Sequence, residues 1–249
     1  MRLVLSSAAA ADFTLDELLA AARRRGFAGL ELVAGHAHGA GLDPDTSDLE
    51  AIRVRAAAGA APVVAFRAAR AEAFHPAAAR LSSVLRAPVI AHLEDGDIAE
   101  DALESAAAAY ARAGGTLLVA HGSDPGEVWR LRRRIECAPA GVLGLAWEVD
   151  PGSEDVAARA PAVLEAAGAH LRHIRLLGGG PEAVRHEGRG IGPLMARLAL
   201  AGYSGTLALA PSTPRYRVAW STWLGRGGGW GCGSKAADPS FVVLNPAQA

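Results

Sequence analysis

An apolar run, a loop and an Ala/Leu/Arg-rich stretch with helical periodicity follow one another repeatedly along this chain of 249 residues. The runs are Leu3–Ser7, Gly29–Val33, Pro62–Arg67, Val89–Glu94, Thr116–His121, Leu143–Glu148, Leu171–Leu176 and Thr206–Ala210. Helical stretches lie between them, the clearest being Leu15–Arg25, Leu49–Ala58, Pro76–Leu85, Glu100–Ala113, Glu127–Ile135, Asp155–Ala167 and Pro193–Ala201. Most runs are apolar throughout instead of alternating, which fits strands of a parallel sheet covered by helices. Strands alternating with helices predict an α/β fold. Eight repeats in this length predict a single (β/α)8 TIM barrel. An open doubly wound sheet is the alternative, but no G-x-G-x-x-G follows the first run. The barrel is expected over residues 1–211. Residues 212–249 are expected to form a C-terminal helix near Arg217–Leu224 and an irregular Trp/Gly-rich tail packed on the barrel.

Several boundaries carry punctuation. Thr14-Leu15-Asp16-Glu17 predicts an N-cap with acids in the first turn. Gly26, Gly59, Gly114, Gly168 and Gly202 follow helical stretches, where left-handed C-caps are expected. With 25 basic and 26 acidic residues the formal net charge is −1, so no bulk field holds nucleic acid or an anionic membrane. No apolar run approaches the roughly 20 residues of a membrane-spanning helix. The opening Met1-Arg2-Leu3-Val4-Leu5-Ser6-Ser7 reads as a first strand rather than a secretory segment, and a cytoplasmic location is expected. Cys137 and Cys232 have neither metal-ligand spacing nor a disulfide framework. The tail motif Trp230-Gly231-Cys232-Gly233-Ser234-Lys235 lacks the spacing of a phosphate loop and is read as a structural latch.

In a (β/α)8 barrel the chemistry sits at the C-terminal ends of the strands. Those ends carry Ser6-Ser7, Glu31 with the following His36 and His38, Arg67, His92 with Glu94, His121, Trp147-Glu148, His173 with Arg175, and Ala210. Six of the eight histidines fall in or near this rim: His36, His38, His92, His121, His173 and His186. Buried charge is costly unless paired or liganded, so Glu94, Glu148 and Arg175 imply either a functional pocket or salt bridges closing the barrel top. His92 and Glu94, two apart on one strand, point to the same side and make a plausible ligand or acid/base pair. Gly178-Gly179-Gly180-Pro181, followed by Arg185 and Arg189, either brings backbone N–H groups to an anion or forms a loop over the pocket. His75 and His170 fall on the other side and are read as structural.

Two stretches then bring in a family. Thr14-Leu15-Asp16-Glu17-Leu18-Leu19 with Arg25-Gly26-Phe27-Ala28-Gly29-Leu30-Glu31-Leu32 resembles the first helix and second strand of the xylose isomerase-like TIM barrels. That superfamily includes sugar-phosphate isomerases and epimerases and endonuclease IV-like enzymes. Gly188-Arg189-Gly190-Ile191-Gly192 and Leu198-Ala199-Leu200-Ala201-Gly202-Tyr203-Ser204-Gly205-Thr206-Leu207-Ala208-Leu209 resemble its closing segment. The resemblance implies a divalent metal held by Glu, Asp, His and Glu on strands five to eight. Here the fifth-strand position falls on Val119 or Ala120, with His121 just beyond. The sixth is Glu148, the seventh is Arg175 with His173 two before it, and the eighth is Ala210. Guanidinium cannot ligate a cation and repels one.

The expected function is that of an isomerase, epimerase or related lyase acting on a small polyhydroxylated or carbonyl substrate, by proton transfer next to a carbonyl. Glu148 and His121 are the candidate acid/base pair, Arg175 stabilises an anion or oxyanion with His173 beside it, and His92 and Glu94 give support. Arg67, His36, Arg185, Arg189 and Trp147 are candidate substrate contacts. A divalent metal, if one binds, is expected on Glu148, His92, Glu94 and His121. The alternative is a non-catalytic barrel that binds a protein partner or a second copy through its tail. DNA-repair endonuclease chemistry is disfavoured, because the carboxylates of a multi-metal cluster are missing and the chain is not basic.

Overall fold

A computed structural model describes residues 1–39, 49–91, 99–150, 155–178 and 191–210, together with Leu224. Eight strands form it: β1 (Arg2–Ser6), β2 (Leu30–Val33), β3 (Val63–Ala68), β4 (Val89–Ala91), β5 (Leu117–His121), β6 (Leu143–Val149), β7 (Leu171–Leu176) and β8 (Thr206–Leu209). They pair in parallel in sequence order, and β8 returns to β1 to close the barrel. The helices are α1 (Leu15–Arg25), α2 (Leu49–Ala58), α3 (Arg70–Ala73), α4 (Pro76–Leu85), α5 (Glu100–Ala113), α6 (Pro125–Ile135), α7 (Val156–Ala167) and α8 (Ile191–Leu200). The chain is a single (β/α)8 barrel, as its repeating pattern predicts.

Local chemistry sets the boundaries. Thr14 caps α1 through a capping box: its hydroxyl accepts from the Glu17 N–H while the Glu17 carboxylate accepts from the Thr14 N–H. Helix α6 starts at Pro125, two residues before the expected start, because Asp124 accepts from the Gly126 N–H and Pro125 suits a first helical position. Gly26 and Gly114 take the expected left-handed C-caps. After α2 it is Ala60, at φ 57°, and not Gly59 that takes the positive φ. Gly168 turns at φ 55°, ψ −142°, outside the left-handed helical region, and opens a 3-10 turn. The short helix α3 is absent from the sequence pattern. Of the expected fourth run, Val89–Ala91 is strand and the remainder, from His92, lies outside the described residues.

Two cores result. The larger lies between strands and helices, where Leu5, Leu32, Val119 and Leu145 meet Leu18, Leu81, Tyr110 and Val163. Each such side chain contributes about 1.5–3 kcal/mol on burial. The smaller core fills the barrel interior with Ala65, Ile90, Leu118, Ala120 and Ala146. Gly144 sits beside it, where a Cβ would come within 2.8 Å of the Leu118 side chain. Small residues on these strands leave interior volume for long polar side chains from the strands opposite. Of the C-terminal segment, Leu224 is buried and its carbonyl accepts from Arg24 of α1 at 2.8 Å. The expected final helix and the rest of the tail lie outside the described residues. Among the described residues no helix is long and apolar enough to cross a membrane.

Candidate active site at the barrel mouth

Strand alternation sends one set of residues inward. On β6, Leu145, Trp147 and Val149 join the outer core, so Ala146 and Glu148 face the interior. On β7, Ile174 and Leu176 lie outside and His173 and Arg175 inside. The register skips Val64 on β3 and Arg172 on β7, bulges that align Glu31 with Ala65 and His173 with Ala146, while His173 pairs with Thr206 of β8 in regular register. Glu148 and Arg175 are direct cross-strand partners, as are Ser6 and Glu31.

These side chains join into one network across the barrel. Glu31 is fully buried on β2, yet it reaches β7, beyond β1 and β8. Its Oε1 accepts from Ser6 Oγ at 2.5 Å, and its Oε2 accepts from His173 Nε2 at 2.8 Å and Arg175 Nε at 2.9 Å. A carboxylate only accepts, so the Nε2–H of His173 is the donor. His173 Nδ1 pairs with Thr206 Oγ1 at 2.6 Å. Arg175 donates through Nη1 to Glu148 Oε1. Arg67 of β3 brings its Nε within 3.5 Å of the same oxygen, close enough for charge attraction but without hydrogen-bond geometry.

Electrostatics follow from this packing. Burial works to raise the Glu31 carboxyl, but the charge of Arg175 and the hydrogen bond and charge of His173 outweigh it and hold the group far below the usual carboxylate range. Burial works to lower Arg175, and the two carboxylates outweigh it, so its pKa is raised. Arg67 is lowered by burial and by the like charge of Arg175, with Glu148 and Glu31 opposing. Exposure grades outward: Arg175 is 2% exposed, Glu148 8% and Arg67 26% by side chain.

The other expected site residues fall as follows. His121 is buried at the end of β5. Its Nδ1–H donates to the Gly122 carbonyl at 2.7 Å, and its Nε2 has no hydrogen-bond partner among the described residues. Burial pushes its pKa down to about 4, against the Gly122 hydrogen bond and the Glu148 charge. It is therefore a neutral imidazole with an acceptor nitrogen at neutral pH. His36 Nδ1 lies 2.9 Å from Ser7 Oγ, which also accepts from the Val33 N–H. His38 bonds the Val33 carbonyl, and burial lowers it to about 4. Trp147, expected at a substrate, is fully buried in the outer core, and its indole N–H donates to Ser123. Such a side chain offers no surface to a ligand. Arg175, expected to face an oxyanion, is spent on two carboxylates, and Arg67 is the guanidinium with exposed surface. His92, Glu94, Arg185 and Arg189 lie outside the described residues. Sequence reasoning gave no role to Glu31, Ser6 or Thr206. The signal for Glu31 was a lone carboxylate between leucines in a strand buried on both faces.

The described donor set does not fit a resident divalent metal. Among the described residues no three His, Cys, Asp or Glu are arranged to hold one. Arg175 itself stands between Glu31 and Glu148 and repels a cation there.

No protein-family profile and no curated protein sequence matches the chain. Solved structures do. An uncharacterised protein from Parabacteroides distasonis superposes with TM-score 0.64 at 13% identity, covering 90% of this chain and 97% of the other. A xylose isomerase domain protein from Planctomyces limnophilus gives 0.56 at 15% identity, covering 89% and 92%. A D-allulose 3-epimerase from Methylomonas sp., solved with D-allulose, gives 0.57 at 14% identity, covering 88% and 90%. The chain therefore shares its (β/α)8 barrel fold with these proteins.

Proposed function

We propose that this barrel is an isomerase- or epimerase-type enzyme that moves a proton next to the carbonyl of a small polyhydroxylated substrate. The observation that carries the reading is Glu148: an inward carboxylate at the mouth end of β6, partly accessible, with one oxygen shared by two guanidinium groups. In this reading Glu148 takes the proton from the carbon next to the carbonyl. The electron pair left behind moves onto the carbonyl oxygen, giving an enolate whose charge faces Arg67. His121 takes no step here: by register it shares the outer face of Val119 and Trp147, and its Nε2 is buried. Protonation of the same carbon on its opposite face by water at the mouth, with Glu148 giving its proton back to solvent, gives epimerisation; passing the neighbouring hydroxyl proton to the enolate oxygen and the carbon proton to the former carbonyl carbon gives isomerisation. Ser6, His173 and Glu31 hold Arg175, and Arg175 holds Glu148. Similarity to sugar epimerase structures supports this class of substrate.

The test is solvent exchange. Ketoses and their phosphates are incubated with the protein in D2O and followed by NMR. Deuterium should enter next to the carbonyl of at least one substrate, and Glu148→Gln should lower the rate by orders of magnitude with the fold intact. Unchanged exchange in the variant removes Glu148 from the mechanism. A second reading, a non-catalytic binding barrel, is favoured by the pairing of Glu31, His173, Arg175 and Glu148 with one another. It predicts no exchange with any ketose and partner binding that deletion of residues 212–249 abolishes.

A further inference from the structure

We infer that the outer faces of α5 and α6 form a docking surface for a second copy of this chain, joined about a two-fold axis perpendicular to the two helices. Helix α5 packs on α4 and α6 packs on α7, so a seam separates α5 from α6. Both helices follow strands of the barrel and run from its mouth toward the opposite end. Their charges are sorted along that direction. The acids lie in the first half of each helix, Asp101 and Glu104 on α5 and Glu127 on α6. The bases begin at mid-helix, with Arg130, Arg133 and Arg134 on α6 and Arg112 on α5. None of these residues makes an ion pair among the described residues, whereas Arg132, on the α7 side of α6, is paired with Glu136. Nη2 of Arg134 is buried with no hydrogen-bond partner among the described residues. Trp129 is 50% exposed, with the Arg133 guanidinium 4.9 Å from its ring centre.

A two-fold axis across the seam reverses this order. It sets α5 of one copy antiparallel to α6 of the other, so the acidic half of each helix meets the basic half of its counterpart. The spacing fits. Glu104 and Ala108 are four residues apart on α5, Trp129 and Arg133 are four apart on α6, and each interval is about 6 Å of helix. With Glu104 level with Arg133 of the other copy, Ala108 comes level with its Trp129. Ala108 and Ala111 are exposed and small, which leaves room for the indole. Symmetry makes every contact twice. A parallel arrangement would instead set acid against acid. An acidic foreign protein would answer only the basic half of the face, whereas a second copy answers both halves. None of this requires the barrel to turn over a substrate.

The full chain is run in sedimentation velocity from low micromolar to hundreds of micromolar, at low and at high salt. Wild type should form a dimer whose dissociation constant rises with salt. Glu104→Arg and Arg133→Glu, both at exposed positions, should each weaken the dimer by about 10-fold or more, with circular dichroism unchanged. Trp129→Ala should weaken it by a similar factor, roughly 10-fold. Each single reversal sets like charge against like in its own dimer. An equimolar mixture of the two restores both opposed pairs, so the mixture should dimerise as wild type does, and so should the double variant. A chain that stays monomeric at low salt throughout the range overturns the inference and leaves the seam to residues 211–249 or to another protein. So does a dimer indifferent to both reversals, or a pair of weakened variants whose mixture stays monomeric.

Discussion

Glu31→Gln isolates one charge at the centre of the barrel. Glutamine has the same shape, and its amide oxygen can still accept from His173 and Arg175. Its amide nitrogen can face Ser6 Oγ, which then accepts. The hydrogen bonds therefore survive in outline while the negative charge does not, and Arg175, 2% exposed, keeps only Glu148 as counter-charge. Removing one partner of a buried ion pair costs about 3–5 kcal/mol. For a chain of this size each kcal/mol lowers the melting temperature by about 2–4 °C, which gives a fall of roughly 6–20 °C at neutral pH. Melting and urea unfolding followed by near-ultraviolet circular dichroism measure it. The pH dependence supplies a second check. Because the folded Glu31 carboxyl is depressed, its contribution is complete above the unfolded value of about 4.3 and is lost as pH falls below it. Wild type and variant should converge in stability in acid. A melting shift below about 2 °C at neutral pH, or a gap that persists unchanged into acid, would refute the reasoning.

Other perturbations test neighbouring parts of the same structure. His121, neutral when folded with a pKa of about 4, should cost stability as pH falls from about 6.5 toward 4, because the unfolded chain gains the proton first. The loss is on the order of 3 kcal/mol, and His121→Gln should flatten this part of a urea-midpoint titration. Gly29→Ala places a Cβ 2.7 Å from Val64 Cγ1 and 2.8 Å from the Pro62 carbonyl oxygen. The carbonyl belongs to backbone and cannot swing away, so a loss of about 1–3 kcal/mol is expected in chemical unfolding. Thr14→Ala removes the reciprocal cap of α1 and should cost about 1 kcal/mol, with Thr14→Ser restoring most of it.

The barrel was legible because its strands are buried on both faces and so read as unbroken apolar runs. Leu171–Leu176 was read to the residue, and Leu143–Val149 differs from its expected run by one. Within the site, Arg67, Glu148, His173 and Arg175 stood out as ionisable groups in apolar strands, which is a local signal. What they bond to is not local. Glu31 and His173 are 142 residues apart, and their contact depends on barrel closure and on two bulges that carry no distinctive sequence mark. Trp147 was misplaced for a related reason. It adjoins Glu148, but alternation sends neighbours to opposite faces, and only the paired register fixes which face is inside.

Depth in the barrel separates support from chemistry. His173 and Glu31 are almost wholly enclosed, Arg175 nearly so, Glu148 less, and Arg67 is about a quarter exposed. Each member is fixed by the one below it: Thr206 orients His173, His173 and Ser6 orient Glu31, Glu31 orients Arg175, and Arg175 orients Glu148. A deep group has no water to replace a lost partner, so substitution there reads out as stability. A shallow group can be solvated when its partner is removed, so its substitution leaves folding largely intact. Arg67→Gln should therefore alter the handling of a small molecule with little change in melting temperature, whereas Glu31→Gln should do the reverse. If the two effects were exchanged, with Arg67 setting stability and Glu31 setting ligand affinity, the mouth of this barrel would not be where its chemistry lies.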